Sequence, residues 1–461
     1  MTTPGRCERV LLVTVDSLRA DALEEMETVR DIARRGTRFE TAFAHGNWTP
    51  FSFPSLLGPA PVFSRHEDPR VASPTLAGQL RRRGVATTGV NAANGFLTSH
   101  WGYASGFESF EPFVDLDGRV REWLACHPTI QSWVQLVGDT VTRQVRGGDD
   151  RHAVDTSRLL AAEDELVDAL GGSRSPQFLW LHLMDTHTPY VPAPQYRDME
   201  SRGPLGGQLL VQQLRTGLGT DVGDRDVGLL RSRYDAAARQ VDDCVSRLLD
   251  TLEERGLREE TCIVVAGDHG EEFMEHGHTA HYPKLYRELI EVPLVIDHPD
   301  GVGDTVDRPV GLEVIPPTIA ELFGCETERY SGRSVLPAVL EGDSVTPEPV
   351  VSVAVRGDSI TQQPIPRSPA QGEVLVSVRT DRWTYIHHTE SDTRELYDRT
   401  VDPGEHDSVW EDHSSDAVAS RLHDVAQTRY DEIRRDGRRE STPEESPPET
   451  VADRLAHLGY T

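Results

Sequence analysis

Three short apolar runs along the chain predict buried strands of a parallel sheet. Residues 9–15 read RVLLVTV, residues 177–183 read QFLWLHL and residues 261–266 read TCIVVA. Strands that are apolar on both faces are typical of parallel sheets covered by helices on both sides. Each run stops at a polar stretch that contains an acid, and open α/β sheets place their ligand sites at the carboxyl ends of their strands.

Helical patterns separate these runs. They predict helices over residues 22–36, 74–84, 154–170 and 229–256, and several of them end at a glycine that would serve as a C-cap. Because strands and helices alternate, the sequence predicts a layered α/β domain. Segments 112–150 and 197–228 fit neither pattern, and we expect them to be surface insertions that shape the substrate pocket.

A change of pattern after residue 345 predicts a smaller C-terminal subdomain. Prolines cluster there, and the runs EVLVSVRTD and RWTYIHH then predict an antiparallel hairpin ahead of a helix at about 414–435. The predicted divisions are a catalytic domain over 1–345, the subdomain over 346–435 and a mobile tail over 436–461, which is low in apolar residues.

Composition narrows the class of protein. The 461 residues carry a formal charge of −29, which excludes a basic nucleic-acid binder, and Lys284 is the only lysine. Such a uniformly acidic composition is typical of proteins from halophiles, so we expect a protein adapted to high salt. The five cysteines are scattered without a CxxC spacing, and no signal peptide or membrane span is predicted. These features favour a cytoplasmic location; the oligomeric state stays open.

The strand ends supply candidate metal ligands. Asp16 follows the first run, and Asp268 and His269 follow the third. Carboxylate and imidazole groups on neighbouring strands can converge on one divalent cation, and oxygen-rich ligation favours Mg²⁺, Ca²⁺ or Mn²⁺ over zinc. The alternative is that each residue caps a helix or lies in a surface turn.

Ser52 is the candidate nucleophile. It lies between two prolines in TPFSFPSLL, a segment that could begin a helix whose N-terminal amides attract an anion. A hydroxyl beside a metal there could attack an ester. Thr49 and Ser55 are rivals on the same segment.

Histidines add groups that can hold or protonate an ester. His182 lies near the end of the second apolar run, and Asp185 and His187 follow that run. His281 is one of three histidines after the predicted metal ligands. Metal, hydroxyl and imidazole together form a site for a tetrahedral oxyanion ester. Lys284 is a further candidate, although any one of these side chains alone could be a packed or surface residue.

Seven segments in order along the chain resemble the sulfatase family of the alkaline phosphatase superfamily. They are VTVDSLRAD, TPFSFPSLLG, WLHLMDTHTPY, VAGDHGEEFMEHGH, LYRELIEVPLVI, VRTDRWTYI and ELYDRTVDPGEHDS. With the acidic composition, the chain resembles a haloarchaeal-type sulfatase-like hydrolase. The resemblance implies an alkaline-phosphatase-like α/β sandwich with a mainly parallel sheet and a small C-terminal α+β subdomain.

The resemblance also implies roles for individual residues. It makes Asp16, Asp268 and His269 the ligands of one divalent metal ion and makes Ser52 the nucleophile. His187 would bind substrate or serve the leaving group. His281 falls where relatives contact the ester oxygens, with Lys284 as its rival. Asn94 falls where relatives often have a polar substrate contact.

Two departures from the family pattern leave the chemistry open. Ser52 is not followed by the arginine that usually marks a loop modified to formylglycine, because Leu56 and Leu57 stand there. Ser17 follows Asp16 where relatives often have a second acid. The sequence therefore predicts hydrolysis of sulfate esters of a small molecule or glycan through an intermediate on Ser52. The alternatives are a phosphodiesterase or phosphoglycerol-type transferase with unmodified serine, and a binding protein that has lost activity.

Overall fold

The computed structural model describes residues 7–66, 68–113, 158–171, 175–197, 223–357, 368–436, 447–448 and 451–452. The strands are β1 (Arg9–Val15), β2 (Thr37–Phe43), β3 (Ala86–Asn91), β4 (Ser109–Glu111), β5 (Gln177–Leu183), β6 (Thr261–Gly267), β7 (Glu272–Phe273), β8 (Thr279–Ala280), β9 (Glu291–Asp297), β10 (Thr305–Val306), β11 (Val310–Gly311), β12 (Val350–Arg356), β13 (Glu373–Arg379), β14 (Trp383–His388) and β15 (Thr393–Asp398). The α-helices are α1 (Glu27–Arg35), α2 (Thr49–Leu57), α3 (Leu76–Arg82), α4 (Leu159–Gly171), α5 (Asp224–Glu254), α6 (Arg287–Ile290), α7 (Ile315–Leu322), α8 (Leu336–Glu341), α9 (Trp410–His413) and α10 (Ala417–Asp436). None of the helices in these ranges is long and apolar enough to cross a membrane.

A nine-stranded sheet forms the centre of the catalytic part. Its order is β10-β2-β9-β6-β1-β5-β3-β4, and β11 also pairs with β2. Strand β1 is parallel to both β5 and β6, whereas β9 runs antiparallel to β2 and β6. The predicted mainly parallel sheet is therefore confirmed.

The register of β1 explains why the site lies where it does. Val15, the last residue of β1, is paired with Leu183 of β5 on one side and with Gly267 of β6 on the other. All three strands thus end at one level, and the polar residues that follow them meet at one edge of the sheet.

Burial on both faces keeps β1 fixed. All seven of its residues are buried, and alternate side chains enter opposite apolar clusters. Val10 and Leu12 belong to one cluster, and Leu11, Val13 and Val15 belong to the other. Because successive side chains of a strand point to opposite faces, this pattern requires helices on both sides of the sheet.

Helix boundaries differ from the predicted ones for local reasons. The helix predicted over 22–36 is divided into a 3₁₀ turn over Ala20–Glu25 and the helix α1. Helix α3 is shorter than predicted, because Thr75 is its N-cap and accepts a hydrogen bond from Gly78 at 3.1 Å. Helix α5 begins five residues before the predicted start at residue 229. For the helix predicted over 154–170, residues 154–157 lie outside the described part.

The C-terminal subdomain is a four-stranded antiparallel sheet in the order β12-β13-β14-β15, with α10 packed on it. The predicted hairpin is β13 and β14, and the predicted helix at 414–435 is α10, which starts at Ala417. Strands β12 and β15 were not predicted. The boundary at residue 345 stays a prediction. Most of the predicted insertions and most of the predicted tail lie outside the described residues, but residues 224–228 of the second predicted insertion form the first part of α5 rather than a loop.

A buried ion pair inside this subdomain anchors Glu405, which in turn contacts the segment after β6. Arg379 lies 3.1 Å from Glu405, and the side chains are 1% and 0% exposed. Glu405 also accepts hydrogen bonds from the Thr384 hydroxyl at 2.6 Å and from the Arg287 amide at 2.8 Å. Since each charge is paired and hydrogen-bonded, the contact fixes the subdomain against the loop that carries His276, whose Nε2 donates to the carbonyl of Glu405 at 2.9 Å.

Candidate active site

Asp16 lies at the centre of the polar edge and is fully buried. Its amide donates to the carbonyl of Leu183 at 2.9 Å, which holds the backbone in line with β5. Its side-chain Oδ2 accepts hydrogen bonds from Asn94 at 2.7 Å and from Thr49 at 3.1 Å. Its Oδ1 lies 3.4 Å from Nε2 of His269.

The three predicted metal ligands come together. Asp16, Asp268 and His269 are all buried, and each offers one ligand atom within 4.8 Å of the other two. Asp268 Oδ2 and His269 Nε2 have no hydrogen-bond partner among the residues that the structure describes. Buried polar atoms without partners are costly, so two of them side by side need an explanation.

The tautomer of His269 supplies that explanation. Its Nδ1 lies 2.9 Å from the carbonyl of Gly270, and a carbonyl only accepts, so Nδ1 carries the proton. The lone pair of the neutral ring is therefore on Nε2, beside Asp16. An imidazole whose other nitrogen donates to a carbonyl is the arrangement found in metal-binding histidines. These residues fit a divalent cation.

The electrostatics of this cluster point the same way. Burial alone would lower the pKa of His269, but the carboxylates of Asp268 and Asp16 outweigh it and raise that pKa to about 9. Burial raises the pKa of Asp268 to about 6. Burial also disfavours the charged form of Asp16, yet the imidazoles of His187, His182 and His269 hold its pKa well below the usual range. Without a cation, an extra proton on His269 offsets the negative charge of the two carboxylates, which a bound metal ion would otherwise do.

Ser17 occupies the position of the missing second acid. Its φ of 57° places it in the left-handed region, which non-glycine residues rarely adopt. Its amide donates to Asp268 at 3.0 Å, its hydroxyl donates to Asp16 at 3.1 Å, and its carbonyl accepts from Tyr234 at 2.8 Å. Unusual backbone geometry held by three contacts is typical of a functional site.

Ser52 lies beside the predicted metal ligands. It lies in the first turn of α2, is fully buried, and donates its hydroxyl proton to the backbone carbonyl of Asp268. Its amide bonds to the carbonyl of Trp48 at 3.1 Å, so the first turn of the helix fixes its position. Of its two rivals, Thr49 donates to Asp16, and Ser55 is buried without a hydrogen-bond partner in the described part of the chain.

His187 and His281 also converge on this edge. The ring centroids of His187 and His281 are 5.0 Å apart, and those of His269 and His281 are 5.1 Å apart. His187 Nδ1 donates to the carbonyl of Thr188 at 2.6 Å. Burial lowers the pKa of His187, which favours its neutral form. Three imidazoles from two separate segments thus form one wall of the site.

Glu271 stands behind His281 and was not predicted. It is fully buried, and its Oε1 lies 3.3 Å from Nδ1 of His281. Because a carboxylate accepts, Nδ1 of His281 is the donor, and the contact orients the imidazole ring. The GDHGEE segment contains Glu271, but nothing in the sequence indicates which histidine it orients.

Of the two predicted substrate contacts, Asn94 contacts Asp16 and Lys284 does not. Lys284 lies 3.4 Å from Glu272 and donates to the carbonyl of His276 at 2.5 Å, and its contacts include none of the three metal ligands. Asn94 donates to Asp16 and to Thr49, at 2.7 and 3.1 Å. Their roles as substrate contacts stay predictions.

Tyr103 is a further residue that the sequence did not indicate. Its phenol is buried and has no hydrogen-bond partner within the described ranges. Burial and the charge of Asp268 raise its pKa well above the usual range, so the phenol stays protonated. Its ring contacts Phe53, the neighbour of Ser52, edge to face at 5.9 Å between centroids.

Comparison with known proteins gives one family match and several relatives. The protein-family model described as Sulfatase matches residues 8–325. A choline-sulfatase of Rhizobium meliloti is 25% identical over 443 residues, covering 86% of this chain and 80% of the relative. The multifunctional alkaline phosphatase superfamily protein PehA of Trinickia caryophylli is 30% identical over 137 residues, which span 25% of its length.

Solved structures extend the likeness to the whole fold. The structure of BT1596, a 2-O GAG sulfatase, has a TM-score of 0.69 at 17% identity and covers 97% of this chain and 96% of its own. The phosphonate monoester hydrolase of Agrobacterium radiobacter has a TM-score of 0.68 at 18% identity and covers 93% of this chain and 96% of its own. These similarities establish an alkaline-phosphatase-like fold with a separate C-terminal sheet.

Proposed function

Because the chain belongs to the sulfatase family, we propose that it hydrolyses sulfate esters of a small molecule or glycan through a covalent intermediate on Ser52. The observation that carries this proposal is the contact of the Ser52 hydroxyl with the backbone of Asp268, beside three converging metal ligands. The choline-sulfatase that the chain resembles over most of its length supports a sulfate ester as substrate.

The residues divide the work as follows. Asp16, Asp268 and His269 would hold one divalent cation, of Mg²⁺, Ca²⁺ or Mn²⁺. When bound, such an ion offsets charge on the ester and lowers the pKa of the attacking hydroxyl. Ser52 gives up its hydroxyl proton to solvent, and its oxygen bonds to sulfur while the bond from sulfur to the alcohol oxygen breaks. His281, held by Glu271 through Nδ1, would act as the imidazolium and give the departing alkoxide the proton on Nε2.

His187 has a different part. Its lowered pKa favours the neutral ring, and with the proton on Nδ1 that ring can only accept a hydrogen bond at Nε2, so it suits a donor group of the substrate, such as a hydroxyl of the alcohol part, better than proton donation. Its Nδ1 donates to the Thr188 carbonyl at 2.6 Å, which fixes the orientation of the ring. We propose His187 as a substrate-holding residue.

The second step depends on the state of Ser52. If Ser52 is oxidised to formylglycine, its hydrate can expel sulfate by collapsing to the aldehyde. Unmodified serine lacks that exit, so water must attack sulfur, which is harder. Leu56 and Leu57 in place of the usual arginine favour unmodified serine.

That same feature supports a second candidate function. A phosphoserine can be hydrolysed through metal-assisted attack at phosphorus, so unmodified Ser52 suits phosphoric or phosphonic esters. The likeness to the phosphonate monoester hydrolase is compatible with it. Turnover of 4-nitrophenyl sulfate, bis(4-nitrophenyl) phosphate and a phenylphosphonate monoester by the same preparation separates the candidates. A sulfate rate above the other two supports the proposal, and the reverse order overturns it in favour of the second function.

Metal dependence is a direct prediction of the ligand set. Mn²⁺ should raise the unfolding temperature of the metal-free protein in a saturable manner, because a ligand that binds only the folded state stabilises it. Asp268→Asn should weaken Mn²⁺ binding by at least about 10-fold, since it removes a charged ligand. Asp185→Asn is the matched control, because Asp185 contacts Gln240 at 3.0 Å and should leave Mn²⁺ binding unchanged. Thermal shift against Mn²⁺ concentration is the measurement; unsaturable stabilisation, or equal shifts in both variants, would contradict the assignment and favour a binding protein without catalysis.

We also propose that the protein is adapted to high salt and works in the cytoplasm. The charge of −29 and the single lysine support salt adaptation. The four buried free cysteines in the described part support a cytoplasmic location. The free energy of unfolding should rise with KCl concentration, because salt screens the repulsion between surface carboxylates. An unfolding transition that is the same in dilute buffer and in concentrated KCl would argue against salt adaptation.

A further inference from the structure

One buried histidine beside the site has no part in the steps above. His182 is the sixth residue of β5 and is fully buried. Its Nε2 lies 3.5 Å from Oδ2 of Asp16 and has no closer hydrogen-bond partner among the described residues. Its Nδ1 lies 3.0 Å from the hydroxyl of Thr14.

The hydrogen bonds behind His182 fix where its proton lies. The indole N–H of Trp180, which can only donate, contacts the Thr14 hydroxyl oxygen at 2.9 Å. The Thr14 proton is then directed to another acceptor, and Nδ1 of His182 at 3.0 Å is nearer than the Leu181 carbonyl at 3.4 Å. With Nδ1 accepting, the neutral ring carries its proton on Nε2 and aims it at Asp16.

This proton completes a set of donors on one oxygen of Asp16. Asn94 and Thr49 donate to Oδ2, and the His182 N–H points at the same atom. At 3.5 Å the His182 contact is a charge–dipole attraction rather than a short hydrogen bond. On Oδ1, the rotatable hydroxyl of Ser17 donates at 3.1 Å, and the nearest other group is Nε2 of the predicted metal ligand His269 at 3.4 Å.

The geometry points to His182 as a positioning residue. We infer that Trp180, Thr14 and His182 form a buried relay that holds Oδ2 of Asp16 and presents Oδ1 alone to the cation. This inference rests on the metal site of the proposed function. Ser17 follows Asp16, so Asp16 is the one carboxylate that follows β1 directly. The orientation of Asp16 therefore affects cation binding more than it would in a site with two adjacent acids.

Mn²⁺ affinity, measured by isothermal titration calorimetry on the full chain, tests the relay. His182→Phe removes the N–H, and Thr14→Val removes the hydroxyl at nearly constant volume. Each should raise the Kd for Mn²⁺ by about 10-fold to 100-fold, the usual effect of losing a group that orients a metal ligand. His182→Gln, whose amide can donate from the same position, and Thr14→Ser, which keeps the hydroxyl, should restore affinity to within about 3-fold of the wild type, well short of that loss.

The conservative variants separate positioning from a general loss of packing. The free energy of unfolding without metal should be similar within each pair, while the Kd for Mn²⁺ differs. Equal Kd values for wild type, His182→Phe and Thr14→Val, with Mn²⁺ bound tightly by all three, would overturn the relay and leave the proposed function intact. A wild-type protein that binds no Mn²⁺ would overturn the metal site itself.

Discussion

Ser52→Ala is expected to lower kcat for 4-nitrophenyl sulfate by about 10⁴-fold or more, because the variant lacks the atom that forms the covalent bond. Ser52 is fully buried in the first turn of α2, and alanine is a good helix former, so the fold should be retained. Initial rates with the Mn²⁺-loaded protein, together with the unfolding temperature, are the measurements.

Ser55→Ala is the matched control for that experiment. Ser55 lies on the same helix and is equally buried, but its hydroxyl has no hydrogen-bond partner in the described residues. Its loss should change kcat by less than about 3-fold, because no contact made by this hydroxyl is removed. If Ser55→Ala abolished turnover and Ser52→Ala retained it, the nucleophile would have to be reassigned.

His281→Ala is the second change with a large expected effect, and its size should depend on the leaving group. General acid catalysis typically contributes about 10²-fold to 10⁴-fold, so kcat for an alkyl sulfate should fall by that factor. The loss for 4-nitrophenyl sulfate should be much smaller, since 4-nitrophenolate leaves without a proton. Rates for the two substrates on wild type and variant give the ratio directly.

A neighbouring histidine provides the control for this prediction. His278 lies on the same segment, and its ring stacks on Tyr282 at 4.1 Å between centroids. His278→Ala should affect both substrates equally, because the His278 ring contacts Tyr282 and the carbonyl of His276 rather than the residues of the candidate site. Equal losses for both substrates in His281→Ala would mean that His281 holds the ester and does not protonate it.

The convergence of the three predicted metal ligands is the feature of the site that the sequence predicted best. Asp16 and Asp268 directly follow buried strands, and parallel strands in register end at one edge, so the pattern of apolar runs already places them together. Ser52 was found from its prolines and the helix that they begin. Both inferences rest on local sequence and on the topology of a parallel sheet, which are readable from one chain.

Contacts between distant segments were not predictable. Helix α1 begins at Glu27 rather than at residue 22 because Asp242 of α5 accepts hydrogen bonds from the amides of Thr28 and Val29, both at 2.9 Å. No pattern within α1 reveals a cap supplied from more than 200 residues away. The ion pair of Lys284 with Glu272 is of the same kind, since it depends on how one loop folds back.

The mass of the Ser52 peptide during turnover tests the central claim most directly. Protein loaded with Mn²⁺ is mixed with excess 4-nitrophenyl sulfate, quenched in acid and digested. A sulfuryl group on Ser52 is expected, or a peptide lighter by two hydrogens if the residue is formylglycine. An unmodified Ser52 in protein that turns over sulfate, or a sulfuryl group on Thr49 or Ser55, would contradict it.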